Sequence, residues 1–212
     1  MSFALSVYDV FAIAVPGAQY VGVAAYVLLR TGWVGREDVA GISGTLLLLV
    51  AILASYLLGH ATYPLHHLTD RLVPRWRMTL EDARREFAEA VPDSADRPFL
   101  TVPRAVLLAG IEVRSPESSV EILRLRAVSL MCRSSVAPLL LATAVALVEV
   151  VVGTNPVLAI LAALVFGALA LGALQHGQEA SHWGNKKCLE VAYWLPDLEA
   201  RRSPDPSPDP SD

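Results

Sequence analysis

The chain is short of charge, of sulfur and of aromatic rings. Only 18% of its 212 residues are Asp, Glu, Lys or Arg, against about 25% in an average soluble domain. Lysine is nearly missing, with Lys186 and Lys187 the only two, so arginine carries almost all the positive charge. A formal net charge of −4 leaves no basic surface for nucleic acid and no reason to expect an acidic substrate. Cys132 and Cys188 have neither CxxC spacing nor a paired pattern, so the sequence indicates neither a disulfide framework nor a zinc ribbon. HExxH, GxSxG and a phosphate loop are also missing. No sequence motif identifies a reaction.

Apolar residues are what the chain does have. They make up 54% of it and sit in four blocks with the charge pushed between them. Val10 to Leu29 is free of charge and bounded by Asp9 and Arg30. Its length matches the ~20 residues that cross about 30 Å of hydrocarbon at 1.5 Å per residue. A second run covers Val39 to Gly59, a third Arg133 to Val152, and a fourth Pro156 to Gln175. Between the last two, Asn155 before Pro156 is a helix start, because proline at the first helical position lacks only an N–H that would have no partner. No Lys or Arg precedes Arg30, so the first run has no signal-peptide n-region. Four such runs leave almost no polar face to meet water, which excludes a soluble bundle.

Arginine sets the expected orientation. Eleven arginines, from Arg71 to Arg133, lie between the second and third runs, and Lys186, Lys187, Arg201 and Arg202 follow the fourth. The first hairpin loop has only Arg30 and Arg36, and the second has none. By the positive-inside rule the central segment and both termini are cytoplasmic, which makes the two cysteines free thiols in a reducing compartment. Abundant Ala, Val, Leu and Arg suggest a GC-rich bacterial genome and hence a bacterial inner membrane.

The expected fold is all-α: an integral membrane four-helix bundle with a cytoplasmic helical insert between spans 2 and 3. Residues 1–63 form a transmembrane hairpin, with spans at about 10–29 and 39–60. Residues 64–126 form the insert, which continues into span 3. A second hairpin covers 127–176, with spans at about 133–152 and 156–175. A juxtamembrane helix takes 177–200, and the proline-rich tail 201–212 is expected to be disordered. Within the insert, Thr79 to Asp82 opens a helix reaching about Ala90, and Thr101 with Pro103 opens another over Arg104 to Val113. Ser115-Pro116-Glu117 caps a single helix running to 152, roughly 55 Å long, so that about 25 Å of it projects beyond the bilayer. Val120, Leu123, Ala127 and Met131 recur at helical spacing on it, and the two shorter helices are expected to pack there. Pro16 and Pro138 are expected to kink their spans.

Small residues repeat every four positions at Ala14, Ala18 and Gly22, at Ala51, Ser55 and Gly59, and at Ala159, Ala163 and Gly167. Such stripes let helix backbones approach closely, either within the chain or, for the last of them, against a second subunit. Asp9 and Arg133 lie at similar depth at the cytoplasmic ends of spans 1 and 3 and are read as a structural ion pair. His60, His66, His176, Glu179 and His182 are candidate ligands for one transition-metal site, with Asp70 four residues after His66. Glu179 and His182 have the Glu-x-x-His spacing of di-iron bundles, although only one such pair exists and Gly177 and Pro64 are read as breaking the helical frame. The competing reading places these histidines in an interfacial belt beside Tyr63, Trp183, Tyr193 and Trp194.

Tyr8-Asp9 with Pro16-Gly17, and Tyr56-Leu57-Leu58-Gly59-His60, resemble the first hairpin of uncharacterised bacterial four-span membrane proteins. The resemblance covers about the first 65 residues, with the remainder similar in layout only. It implies two spans, a cytoplasmic helical insert and a second hairpin, and for some such proteins a membrane-acting role in defence cassettes. It transfers no catalytic residue, and Pro64 departs from the continuous helix of that pattern.

The expected function is non-enzymatic: an inner-membrane protein that anchors or oligomerises, with permeabilisation of the membrane as one outcome, and that docks a partner through its cytoplasmic cap. Its partners would be the lipid bilayer and a second copy or a neighbouring protein, with no nucleic acid and no cofactor. The alternative is a metal-dependent enzyme at the membrane surface that uses the His/Glu cluster.

Overall fold

The computed structural model describes residues 3–62, 64, 79–94 and 97–195, all helical or irregular, with no strand among them. Among the described residues seven α-helices follow in order: α1 (Phe3–Arg30), α2 (Arg36–Ala40), α3 (Gly44–Thr62), α4 (Leu80–Ala90), α5 (Arg104–Arg114), α6 (Pro116–Val152) and α7 (Pro156–Tyr193). Two 3₁₀ turns, Pro92–Ser94 and Pro98–Thr101, separate α4 from α5. Four of the helices, α1, α3, α6 and α7, are long and apolar enough to cross a membrane. A helix satisfies its own backbone N–H and C=O groups, which hydrocarbon demands of any spanning segment.

The chain divides into two compact units. The first contains residues 1–77 and 127–179, and the second residues 78–126 and 180–212, so α6 and α7 contribute to both.

In the first unit α1 and α3 cross at glycine. A Cβ on Gly17 would overlap the backbone carbonyl of Ser55, and one on Gly59 would overlap the carbonyl of Ile13. Ser55 is buried and turns its hydroxyl back onto the carbonyl of Ala51 at 2.6 Å, so it brings no unsatisfied polar group to the crossing. The small-residue stripe expected in α3 is thus the one used. In α1 the contact lies elsewhere, at Ile13, Pro16 and Gly17, whereas Ala18 is exposed and Gly22 has open space where a Cβ would point. Pro16, next to Gly17, is fully buried inside α1, as Pro138 is inside α6. Beyond the crossing α3 shows most of its surface outward, with Leu48, Leu49 and Leu53 each 60% exposed.

The second hairpin is tied in a similar way. The Ser129 hydroxyl donates to the carbonyl of Gly177 at 2.7 Å, and a Cβ on Gly177 would lie 2.8 Å from Cγ of Arg133 and 3.2 Å from Cβ of Cys132. Gly177 does not break the helix, as α7 runs unbroken from Pro156 to Tyr193 and absorbs what the sequence divided into a span and a separate juxtamembrane helix. Glycine weakens a helix by about 1 kcal/mol but keeps its N–H, and here it provides the space that the α6 backbone occupies. Of the third stripe, Ala159 and Ala163 are buried within the unit and the Gly167 position lies against Thr143. The second span also starts later than expected. Gly35, with its N–H donating to Asp38, begins the short α2, and Ser43 then caps α3 through the N–H of Leu46.

The second unit has its own core. Ala83 and Phe87 of α4, Leu107 and Ile111 of α5, Ile122 of α6, and Cys188, Leu189 and Ala192 of α7 are buried together with Phe99. Phe87, Phe99 and Tyr193 meet edge to face with centroids 6.1–6.4 Å apart, a favourable arrangement for ring quadrupoles. Thr79 caps α4 with Asp82 reaching back to it, a reciprocal capping box. The face of α6 turned into this core is Ser119 and Ile122, while Val120 and Leu123 are only half-buried. Of the apolar stripe that the sequence suggested, Ala127 is buried, but the first half is shifted by one position onto Ser119 and Ile122, because Ser119 supplies a small buried side chain that hydropathy does not mark.

Gly59→Ala is expected to lower the unfolding temperature of detergent-purified protein and Gly22→Ala to leave it unchanged, because overpacking costs about 1–3 kcal/mol and only the first site lacks room. Equal melting of the two variants would contradict the crossing described here.

Candidate functional site

Inside the first unit, α1, α6 and α7 enclose a cavity of about 590 Å³. That is within the roughly 300–1,000 Å³ of small-molecule sites. Its walls are mostly apolar and its small lining residues, Ala142, Ala146, Ala159 and Ala162, are what leave the space. Polar side chains break this lining at both of its ends. Gln19, about halfway along the apolar part of α1, has its Oε1 shielded and without a partner among the described residues. At the hairpin-turn end Nε of Arg30 donates to Oε1 of Glu149 at 2.8 Å.

That pair joins residues 119 positions apart. The sequence placed Arg30 in a loop and Glu149 near the end of a span, but nothing in it linked them. The local reason for their meeting is backbone packing. Gly153 ends α6 directly against Glu149, and a Cβ there would lie 2.5 Å from Oε2, so glycine leaves the carboxylate its room. Thr154 and Asn155 line the same end, and Asn155 caps α7 through the N–H of Leu158 at 3.3 Å.

The candidate metal ligands are distributed as follows. His60 is exposed and stacks on Tyr56 at 5.6 Å, and His176 and Glu179 are exposed on α7. His182 does not turn to Glu179: its Nε2 lies 2.7 Å from Oε2 of Glu86, whose other oxygen accepts from Lys186 at 2.7 Å. Nδ1 of His182 is shielded, so a metal would have to displace Glu86 to reach the ring. Among the described residues no three His, Cys, Asp or Glu side chains converge. His66, His67, Asp70, Tyr63 and the tail lie outside the described residues. So does the Asp9 side chain, and with it the expected pair to Arg133.

The Glu86, His182 and Lys186 cluster belongs to the second unit and joins α4 to α7. Lys186 first, then His182, holds the Glu86 carboxyl below the usual range. Asp82 is also lowered, by the backbone and hydroxyl of Thr79 and then by Arg85. Comparison with family models, curated proteins and solved structures returns no match.

Two outcomes are expected. A carboxyl with a depressed folded pKa stabilises above its unfolded value, about 3.9 for an aspartate and about 4.3 for a glutamate, and this contribution is lost as the pH falls through the folded one. The second unit should therefore lose stability below those values, and Glu86→Gln with Asp82→Asn should flatten the dependence in acid-melting curves; an unchanged slope would count against the cluster. Elemental analysis of purified protein should find no stoichiometric transition metal. One metal per chain, lost on joint His176→Ala and His182→Ala substitution, would restore the metal site.

Proposed function

We propose that this chain is a non-enzymatic, multi-pass protein of a bacterial inner membrane. Its spans anchor and assemble in the bilayer, and its second unit lies in the cytoplasm with both termini and docks a partner there. Supporting the membrane part are four helices of spanning length and the concentration of arginine between α3 and α6.

The observation that carries docking is on α5. Its Leu107 and Ile111 are buried, while Val106 and Val113, seven residues apart on one face, are 59% and 82% exposed. Ala109 between them is exposed as well. A soluble helix normally places such a stripe against a partner element. A tether alone would need neither this stripe nor the core beneath it.

Permeabilisation by one copy has less support. The hydroxyls of Ser55 and Thr143 are satisfied by carbonyls of their own helices, so they do not form a polar path. A pore would be built from several copies.

The test places a photocrosslinking residue at Val106 or Val113 in cells expressing the full chain at native level. A discrete adduct is expected, lost when Phe87→Asp disrupts the core, with the chain still in the membrane. No adduct at either position, together with a collapse of membrane potential that survives Phe87→Asp, would assign the activity to the spans instead.

A further inference from the structure

We propose that the cavity of the first unit binds one bilayer phospholipid whose headgroup carries a primary ammonium, with an acyl chain in the cavity and the headgroup on Arg30 and Glu149. The dimensions come first. Gln19 and Arg30 both line the cavity and are eleven residues apart on α1, hence about 16 Å along the helix axis. That is close to half of the ~30 Å hydrocarbon thickness, the depth of one leaflet. A cavity that begins at the end of a span and stops near its middle has the length of one lipid tail. Its alanine-lined apolar walls suit methylene groups.

The headgroup follows from charge. Arg30 uses Nε on Glu149 and also interacts with Tyr26, but its side chain remains 43% exposed, and a guanidinium with five N–H groups still has some left for a phosphate. Oε2 of Glu149, lying against Gly153, is an acceptor beside it. A fixed cation next to a fixed anion matches a zwitterion whose ammonium has N–H groups to donate. A glycerol headgroup would set its phosphate charge against Glu149 with no cation in return. A choline headgroup has no N–H for the carboxylate. The occupant is therefore an ethanolamine phospholipid rather than an anionic or a choline lipid, and the site is independent of whether the second unit docks a partner.

The test is native mass spectrometry of the full chain, stripped of lipid in detergent and then offered ethanolamine, glycerol and choline phospholipids with identical chains. The wild type should retain one ethanolamine lipid, preferred about tenfold over the other two. Ala142→Phe, which fills the cavity, should abolish retention. Glu149→Gln keeps the shape and the hydrogen bond from Arg30 but removes the charge, so it should retain lipid with the preference gone. Elution volume and melting temperature establish that each variant is folded. If Ala142→Phe misfolds, the selectivity of Glu149→Gln decides. Failure of the wild type to retain lipid, a preference for the glycerol lipid, or unaltered selectivity in Glu149→Gln would overturn the proposal, as would unaltered retention in a folded Ala142→Phe.

Discussion

Lipid gives an apolar helix no hydrophobic reason to leave it, so the first hairpin depends on how closely two backbones can approach. At Gly17 and Gly59 the approach is close enough that no side chain fits on either. Dispersion across such a contact falls off steeply with separation, which is why a single methyl matters there more than whole leucines do elsewhere on α3. The same device recurs at Gly177, where the carbonyl of a glycine accepts a serine hydroxyl from the facing helix. Beyond these contacts, toward the hairpin-turn end, the lining is rich in alanine, and the space left by alanine becomes the cavity.

The two units obey different solvents. In the second, Phe87, Phe99, Ile111, Ile122 and Leu189 are drawn together because water excludes them, and Glu86, Asp82 and Lys186 stay at the surface. In the first, leucines at 60% exposure are unremarkable if hydrocarbon surrounds them. One sequence thus contains two opposite burial rules, and the continuous helices α6 and α7 pass from one to the other with no break in hydrogen bonding.

Much of this was legible in the residues. Run length and absence of charge located the four long helices, and Thr79 with Asp82, Ser115-Pro116 and Asn155-Pro156 located helix starts. What escaped has physical causes. Gly177 looked like a breaker because sequence shows its flexibility and not Cys132 and Arg133 beside it. The α1 contact fell on Ile13, Pro16 and Gly17 instead of Ala14, Ala18 and Gly22, since a four-residue repeat fixes spacing without fixing which face meets a partner. Neither Arg30 with Glu149 nor His182 with Glu86 leaves a local signature, because each joins distant parts of the chain. Of the residues on which the first hairpin resembles four-span proteins (Tyr8-Asp9, Pro16-Gly17 and Tyr56-Leu57-Leu58-Gly59-His60), Gly17 and Gly59 lie at the crossing.

The central claim is that the outward faces of α3 and α7 are covered by lipid. Spin labels at Leu48, Leu53 and Leu164 of protein in bilayers test it directly through their collisions with oxygen and with a water-soluble nickel chelate. All three positions are predicted to favour oxygen strongly, and a label at Val113 to favour the chelate. Ready access of the chelate to Leu48 and Leu164 would contradict the account.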